Sequence, residues 1–231
     1  PWVVVHPTMG HPVGTIANGL MKRMDDTGVH YKIRFVNRLD RDTSGLMIVA
    51  KNSHCQDVMT KLMKSDKVIK RYIAVVHGII KEEKGTIDLP IGRRDPDDIQ
   101  RCVMEDGYPS VTHYKVLERF YGGPAACSRG DAGIAHEGAD GVFAPENGFT
   151  LLELRLETGR THQIRVHMSH TGHPLAGDTL YGREEPELIA RQALHAAYLT
   201  FPHPVTGAEV ALEAALPDDI QKLLEKLRTV E

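Results

Sequence analysis

Four short stretches, residues 46–50, 72–77, 111–117 and 151–156, carry the apolar runs and the apolar-polar alternation of strands, and no regular succession of helices separates them. Strands alternating one for one with helices build a parallel, doubly wound sheet; strands that come in runs pair antiparallel and keep their helices to the flanks. The pattern predicts an α+β fold, a mixed, mostly antiparallel sheet flanked by helices. Three segments read as helices. Residues 15–24 place Ile16, Leu20, Met21 and Met24 at helical spacing, with Gly19 weakening the segment. Ser53 with Gln56 reads as a capping box ahead of Cys55, Val58, Met59, Leu62 and Met63. Pro217-Asp218-Asp219 opens a terminal helix whose apolar face is Ile220, Leu223, Leu224 and Leu227, with Lys226 and Arg228 near its end. Thr206-Gly207, between Phe201 and Val210, reads as a hairpin turn.

The 231 residues are read as a single domain, 1–231, with a Gly- and Ala-rich loop insertion at 122–148 that shows little periodicity. Lys plus Arg against Asp plus Glu gives 28 − 31 = −3, so a polyanion must be held by local basic clusters and not by the field of the whole molecule. No apolar run reaches the ~20 residues of a bilayer span, and no membrane association is expected. Pro1-Trp2-Val3-Val4-Val5-His6 lacks the basic and apolar regions of a secretory signal and reads as a strand entered part-way. Cys55, Cys102 and Cys127 are odd in number and widely spaced, as in a reduced, cytoplasmic protein. Signatures of P-loop, dinucleotide, zincin and serine-hydrolase sites are missing.

Three dense polar segments remain. Arg38-Leu39-Asp40-Arg41-Asp42-Thr43-Ser44-Gly45 runs into the apolar stretch 46–50, setting a carboxylate on a turn at a sheet edge. Taken alone it reads first as turn chemistry, with Asp40 a cap or a surface ion pair. Glu157-Thr158-Gly159-Arg160-Thr161-His162-Gln163-Ile164-Arg165-Val166-His167 follows the strand at 151–156; a helix opening near Thr161 would put Thr161 and Arg165 on one face. His162, His167, His170 and His173 invite a metal reading, but no Asp, Glu or Cys completes the set, and hydrogen-bonded or phosphate-contacting roles suit them better. The third segment, Lys70-Arg71-Tyr72-Ile73-Ala74, follows Lys61, Lys64 and Lys67; it is either a solvated lysine face or a track for a nucleic-acid backbone with an aromatic for stacking.

Taken together and in order, these segments resemble the RluA family of RNA pseudouridine synthases, of the type acting on large-subunit ribosomal RNA. Its signature is His-Arg-Leu-Asp-x-x-Thr-Ser-Gly, then Lys-x-Tyr-x-Ala, then Gly-Arg-x-His-Gln-Ile-Arg-x-His. The stretches 172–182 and 194–196, and His6-Pro7, are similar too. Asn37 stands where the family has His, and an S4 RNA-binding domain is absent from this stretch of sequence.

The resemblance implies the pseudouridine synthase fold with a central cleft, structured RNA (rRNA or tRNA) as partner, no protein partner, and no cofactor or metal. It implies a reaction that breaks the N1–C1′ bond of a uridine, turns the base and rejoins it through C5. Asp40 would be the carboxylate, as nucleophile at C1′ or base at C2′. Arg165 would keep it ionised, an attraction of about 4 kcal/mol at ~4 Å and an effective dielectric of ~20, before desolvation. Tyr72 would lie against the base, and Arg38 would fill the gap left by the flipped nucleotide. Arg160, His162 and Lys70 would hold RNA. The other readings are an RNA-binding module without catalysis and a hydrolase built on the histidine cluster.

Overall fold

The computed structural model describes residues 1, 3–7, 10, 12–122 and 148–229. In chain order the elements are α1 (Ile16–Thr27), β1 (Arg34–Phe35), β2 (Ser44–Gly45), β3 (Val49–Ala50), α2 (Ser53–Lys64), β4 (Ile69–His77), β5 (Lys84–Asp88), β6 (Ile91–Gly92), β7 (Cys102–Val103), β8 (Val111–Tyr121), β9 (Gly148–Leu156), α3 (Gln163–His170), β10 (Leu194–Pro202), β11 (Glu209–Glu213) and α4 (Asp218–Arg228). They form two compact units, Pro1–Tyr72 with His195–Leu216, and Ile73–Leu194 with Pro217–Glu231. The fold is mixed α/β with a mostly antiparallel sheet, as the strand pattern predicts.

In the first unit, α1 starts at a reciprocal capping box between Thr15 and Asn18 and stops at Gly28, whose left-handed φ of 65° ends it. The α2 cap differs from the sequence expectation. Asn52, not Ser53, has the extended backbone of a cap, and its side chain accepts from the Cys55 N–H at 2.8 Å. Both residue types cap well, and the apolar face is set by spacing alone, so a one-residue shift leaves that face intact. Met59 of that face packs with Val68 and Leu199, with Val36, Leu46, Ile48, Leu62, Met63 and Phe201 around them. The Thr206-Gly207 turn joins β10 to β11, which pair from Tyr198↔Glu213 to Pro202↔Glu209.

Residues 46–50 do not form the single buried strand their apolarity suggests. β2 pairs parallel with β10, and β3 pairs antiparallel with β1. The Leu46 N–H donates to the Ala196 carbonyl at 2.9 Å, whereas the Ile48 N–H donates to the Asn37 side chain at 2.7 Å. The segment changes partner within three residues, which no single ladder allows. Gly45 permits the crossing: its φ is +111°, and a Cβ there would run into the Ala196 backbone.

In the second unit the strand order is β4-β9-β8-β5. β8 and β9 pair antiparallel from Thr112↔Leu156 to Tyr121↔Gly148, with an irregularity between Val116 and Glu118. The strands expected at 111–117 and 151–156 are therefore halves of longer ones. The expected insertion joins their paired ends, and its residues 123–147 lie outside the described residues. Val75, Val76, Phe149, Leu152, Leu154 and Leu175 are fully buried and form the centre of this unit. On α4, Ile220, Leu223, Leu224 and Leu227 are buried, worth about 1.5–3 kcal/mol each. Arg191, itself buried, grips Asp219 at the start of α4 with bonds of 2.7 and 2.9 Å. Among the described residues no helix is long and apolar enough to cross a membrane.

Candidate active site

Asp40 lies in the first unit, on the connection between β1 and β2, where its carbonyl accepts from the Thr43 N–H at 3.0 Å in a tight turn. The ends of this connection are fastened. At one end Asn37 takes the Ile48 N–H; at the other, buried Ser44 bonds the Nδ1 of buried His195 at 2.8 Å. The Nε2 of His195 faces the Ala214 carbonyl at 3.2 Å, so Nε2 carries the proton and Nδ1 accepts from the Ser44 hydroxyl. The result is a half-buried Asp40 on a turn tied to β10 and to Ile48, just before β3.

Tyr72, at the end of the β4 segment belonging to this unit, is buried. Burial raises its phenol pKa, and the negative charge of Asp40 raises it further. The phenol therefore stays protonated at any physiological pH, and the aspartate lies within electrostatic reach of it. Lys70, two residues earlier on β4, is half-buried; burial holds its ammonium below the ordinary range against the opposing pull of Asp66. Arg71 stacks over Tyr198, its guanidinium carbon 4.5 Å from the ring centre. Arg38 is exposed. Of the lysines, Lys61 pairs with Asp57 at 2.7 Å along α2.

The second unit holds Arg160, His162 and Arg165. The expected helix near Thr161 starts two residues later, at Gln163, because the Gln163 side chain organises the turn before it. Its Oε1 accepts from Thr158 Oγ1 at 2.8 Å and the Arg160 N–H at 3.0 Å, while its Nε2 donates to the Val111 carbonyl and Thr112 Oγ1. All four hydrogen-bonding positions of the buried amide are used, and His162 takes a left-handed φ of 58° to enter the helix. Thr161 therefore precedes α3 and does not share a helical face with Arg165.

Arg165 projects from α3 into a buried pair with Asp178, Nε and Nη2 donating to the two carboxylate oxygens at 2.7 Å each. Asp178 also accepts from the N–H groups of Leu180 and Tyr181 at 3.0 and 3.1 Å, and the Arg165 guanidinium lies over the Tyr181 ring. The Tyr181 hydroxyl takes the Arg101 N–H and meets His162 Nδ1, both at 2.8 Å. Asp178, Tyr181 and His195 were not singled out as site residues from the sequence, although the stretches carrying them are among those that resemble the family. Nothing in their spacing announces the pairing, because Asp178 lies beyond the end of the helix that bears Arg165.

The histidines go to separate places. His167 Nδ1 meets Thr112 Oγ1, and its Nε2 donates to the Leu89 carbonyl, both at 2.9 Å; burial keeps the imidazole neutral by lowering its pKa. His173 donates to the His77 carbonyl, and His170 is exposed. Among the described residues no three His, Cys, Asp or Glu side chains converge as metal ligands.

The chain is 43% identical to the RNA pseudouridine synthase YjbO of Bacillus subtilis over 97% of its own length and 70% of the relative's. It is 39% identical to the ribosomal large subunit pseudouridine synthase D of Pseudomonas aeruginosa over 98% of its length and 66% of the relative's. The structure of human RNA Pseudouridylate Synthase Domain Containing 1 superimposes with a TM-score of 0.64 at 28% identity, over 93% of this chain and 85% of that one. Human RNA Pseudouridylate Synthase Domain Containing 4 shares the fold, with a TM-score of 0.71 at 22% identity over 98% and 87% of the two chains. Residues 7–170 match the RNA pseudouridylate synthase family, and the chain belongs to that family, whose reaction is the isomerisation of uridine in RNA to pseudouridine.

Proposed function

We propose that this protein isomerises a uridine of large-subunit ribosomal RNA, with Asp40 as its reacting carboxylate. The observation that carries the assignment is the half-buried Asp40 on a turn anchored by Asn37 and the Ser44–His195 bond, its charge acting on the buried Tyr72 phenol. Glycosidic bond cleavage without net hydrolysis needs one carboxylate, held still, whereas a hydrolytic glycosidase uses two with a water between or behind them. Tyr72 then supplies the ring against which the detached base rests. In this reading Arg165, its fork fixed by Asp178, supplies positive charge for the reaction, Arg38 occupies the gap left by the extruded nucleotide, and Lys70, Arg160 and His162 contact the RNA. The choice of ribosomal over transfer RNA rests on relatives named ribosomal large subunit pseudouridine synthase D, 36–39% identical over 98% of the chain. The same reading has the protein work with its substrate in the cytoplasm.

The test uses RNA from cells lacking the protein. Wild type restores pseudouridine in the large-subunit RNA, and Asp40→Asn and Asp40→Ala restore none while retaining the wild-type circular dichroism spectrum. Equal pseudouridine from Asp40→Ala and wild type refutes Asp40; modification confined to the transfer RNA fraction refutes the ribosomal assignment.

A further inference from the structure

The second unit contains a cavity of about 390 Å³ whose wall includes Gly92, Arg93, Arg101, Tyr108, Arg160 and Thr161. Three of its lining residues are arginines and none is a carboxylate. We infer that this cavity is a subsite for a nucleotide flanking the target uridine, with the base on Tyr108 and the phosphate on Arg93 and Arg160. The inference rests on the RNA-modifying reading and adds Arg93 and Tyr108, which that reading does not use.

The geometry is that of a platform held from behind. Tyr108 exchanges two main-chain hydrogen bonds with Ile91, of 3.0 and 2.8 Å, so its backbone is fixed, yet the residue is 68% exposed. An exposed aromatic on a rigid backbone presents its face to a base without losing further loop entropy. Arg160 lies 5.6 Å over that ring and donates from Nε to the Pro109 carbonyl at 3.3 Å, which brings its charge beside the ring. Arg93 is tethered to the Pro96 carbonyl, and Arg101 to the carbonyls of Asp98, Ile99 and Gln100. Two acids of the adjoining loop turn to its own backbone: the Asp95 carboxylate accepts from the Asp97 N–H and the Asp98 carboxylate from the Gln100 N–H, at 2.9 and 2.8 Å. Within the second unit the cavity leads on to the residues of α3. The Tyr181 hydroxyl joins Arg101 to His162, and the Tyr181 ring lies under Arg165, so an RNA strand held here would run along the wall that leads into α3.

The test measures binding of a short fluorescein-labelled oligouridine by anisotropy as salt is varied, a readout that needs no turnover. Tyr108→Ala should weaken binding about tenfold, and Tyr108→Phe, which keeps the ring, should restore it. Arg93→Gln combined with Arg160→Gln should flatten the logarithmic salt dependence by about 1.4, the value for two phosphate contacts on a single strand. Lys222→Gln, a charge removed from the exposed side of α4, should change neither. The subsite is overturned if Tyr108→Phe binds no better than Tyr108→Ala, if Lys222→Gln flattens the slope as much as the arginine pair, or if inorganic phosphate or uridine monophosphate binds as tightly as the oligomer. An active enzyme whose affinity ignores all these changes keeps the isomerase reading and loses the subsite. A protein that shows the binding pattern but forms no pseudouridine does the reverse.

Discussion

Replacing Asp178 by Ala would leave the Arg165 guanidinium charged and buried with both of its bonds to that carboxylate removed. The Asp178 side chain is 0% exposed and that of Arg165 8%, so water cannot replace what is lost. Breaking one side of such a pair costs about 3–5 kcal/mol, mostly as the penalty of an uncompensated buried charge. In a chain of this size each kcal/mol shifts the melting temperature by about 2–4 °C, so Asp178→Ala should melt roughly 6–20 °C lower. Asp178→Asn should fall between, since its carbonyl oxygen can still accept from Leu180 and Tyr181 while its amide meets the Arg165 donors. The pair Arg165→Met with Asp178→Leu removes both charges and should recover most of the loss, because the destabilisation comes from a buried guanidinium that has lost its carboxylate and not from missing volume. Urea unfolding at neutral pH, in low and high salt, measures all four proteins, and the differences should barely depend on salt because the pair is shielded from ions. A loss below about 1 kcal/mol for Asp178→Ala, the value of an exposed ion pair, would refute the reasoning. So would a double variant no more stable than the worse single one.

Gly45→Ala meets both a φ of +111° and the Ala196 backbone, so it should lower unfolding free energy by at least the ~1–3 kcal/mol of a strained residue and abolish activity by displacing the Asp40 turn. Urea unfolding and a pseudouridine assay check it, and a stable, active Gly45→Ala would show that the crossing tolerates a side chain. Gln163→Ala leaves the groups that its amide satisfied without partners, at about 1–3 kcal/mol for each one that water cannot reach; a change under ~1 kcal/mol in the same assay would contradict the role given to it. Acid should destabilise in two stages. Burial holds His167 below its ordinary 6.5, so the unfolded chain binds more protons as pH falls through 6.5 and stability drops there. Burial pushes Glu185 up, but the hydrogen bond and charge of His77 outweigh it and leave the carboxylate below 4.5, so its contribution is kept above that pH and lost beneath it. The urea midpoint should fall first below about pH 6.5, and His167→Gln should diminish that first stage; an unaltered pH dependence in the variant would rule His167 out as its source.

Much of this was legible in the linear chain because it depends on spacing. The α2 and α4 faces, the β10–β11 turn and the strands at 72–77, 111–117 and 151–156 follow from periodicity, which acts over a few residues and needs no partner. The polar segments around Asp40, Tyr72 and Arg165 could be picked out for the same reason, and their order carried the family resemblance. Other features depend on residues far apart in sequence. Only the fold shows that residues 46–50 change partner, since the Ala196 carbonyl and the Asn37 side chain compete for neighbouring N–H groups. Only the fold shows that α3 begins at Gln163, whose amide answers to Val111 and Thr112, some fifty residues earlier. The same holds for Asp178. A carboxylate can be located by reading, but which cation it neutralises depends on where the chain has been folded back, and here a turn beyond α3 returns it to Arg165.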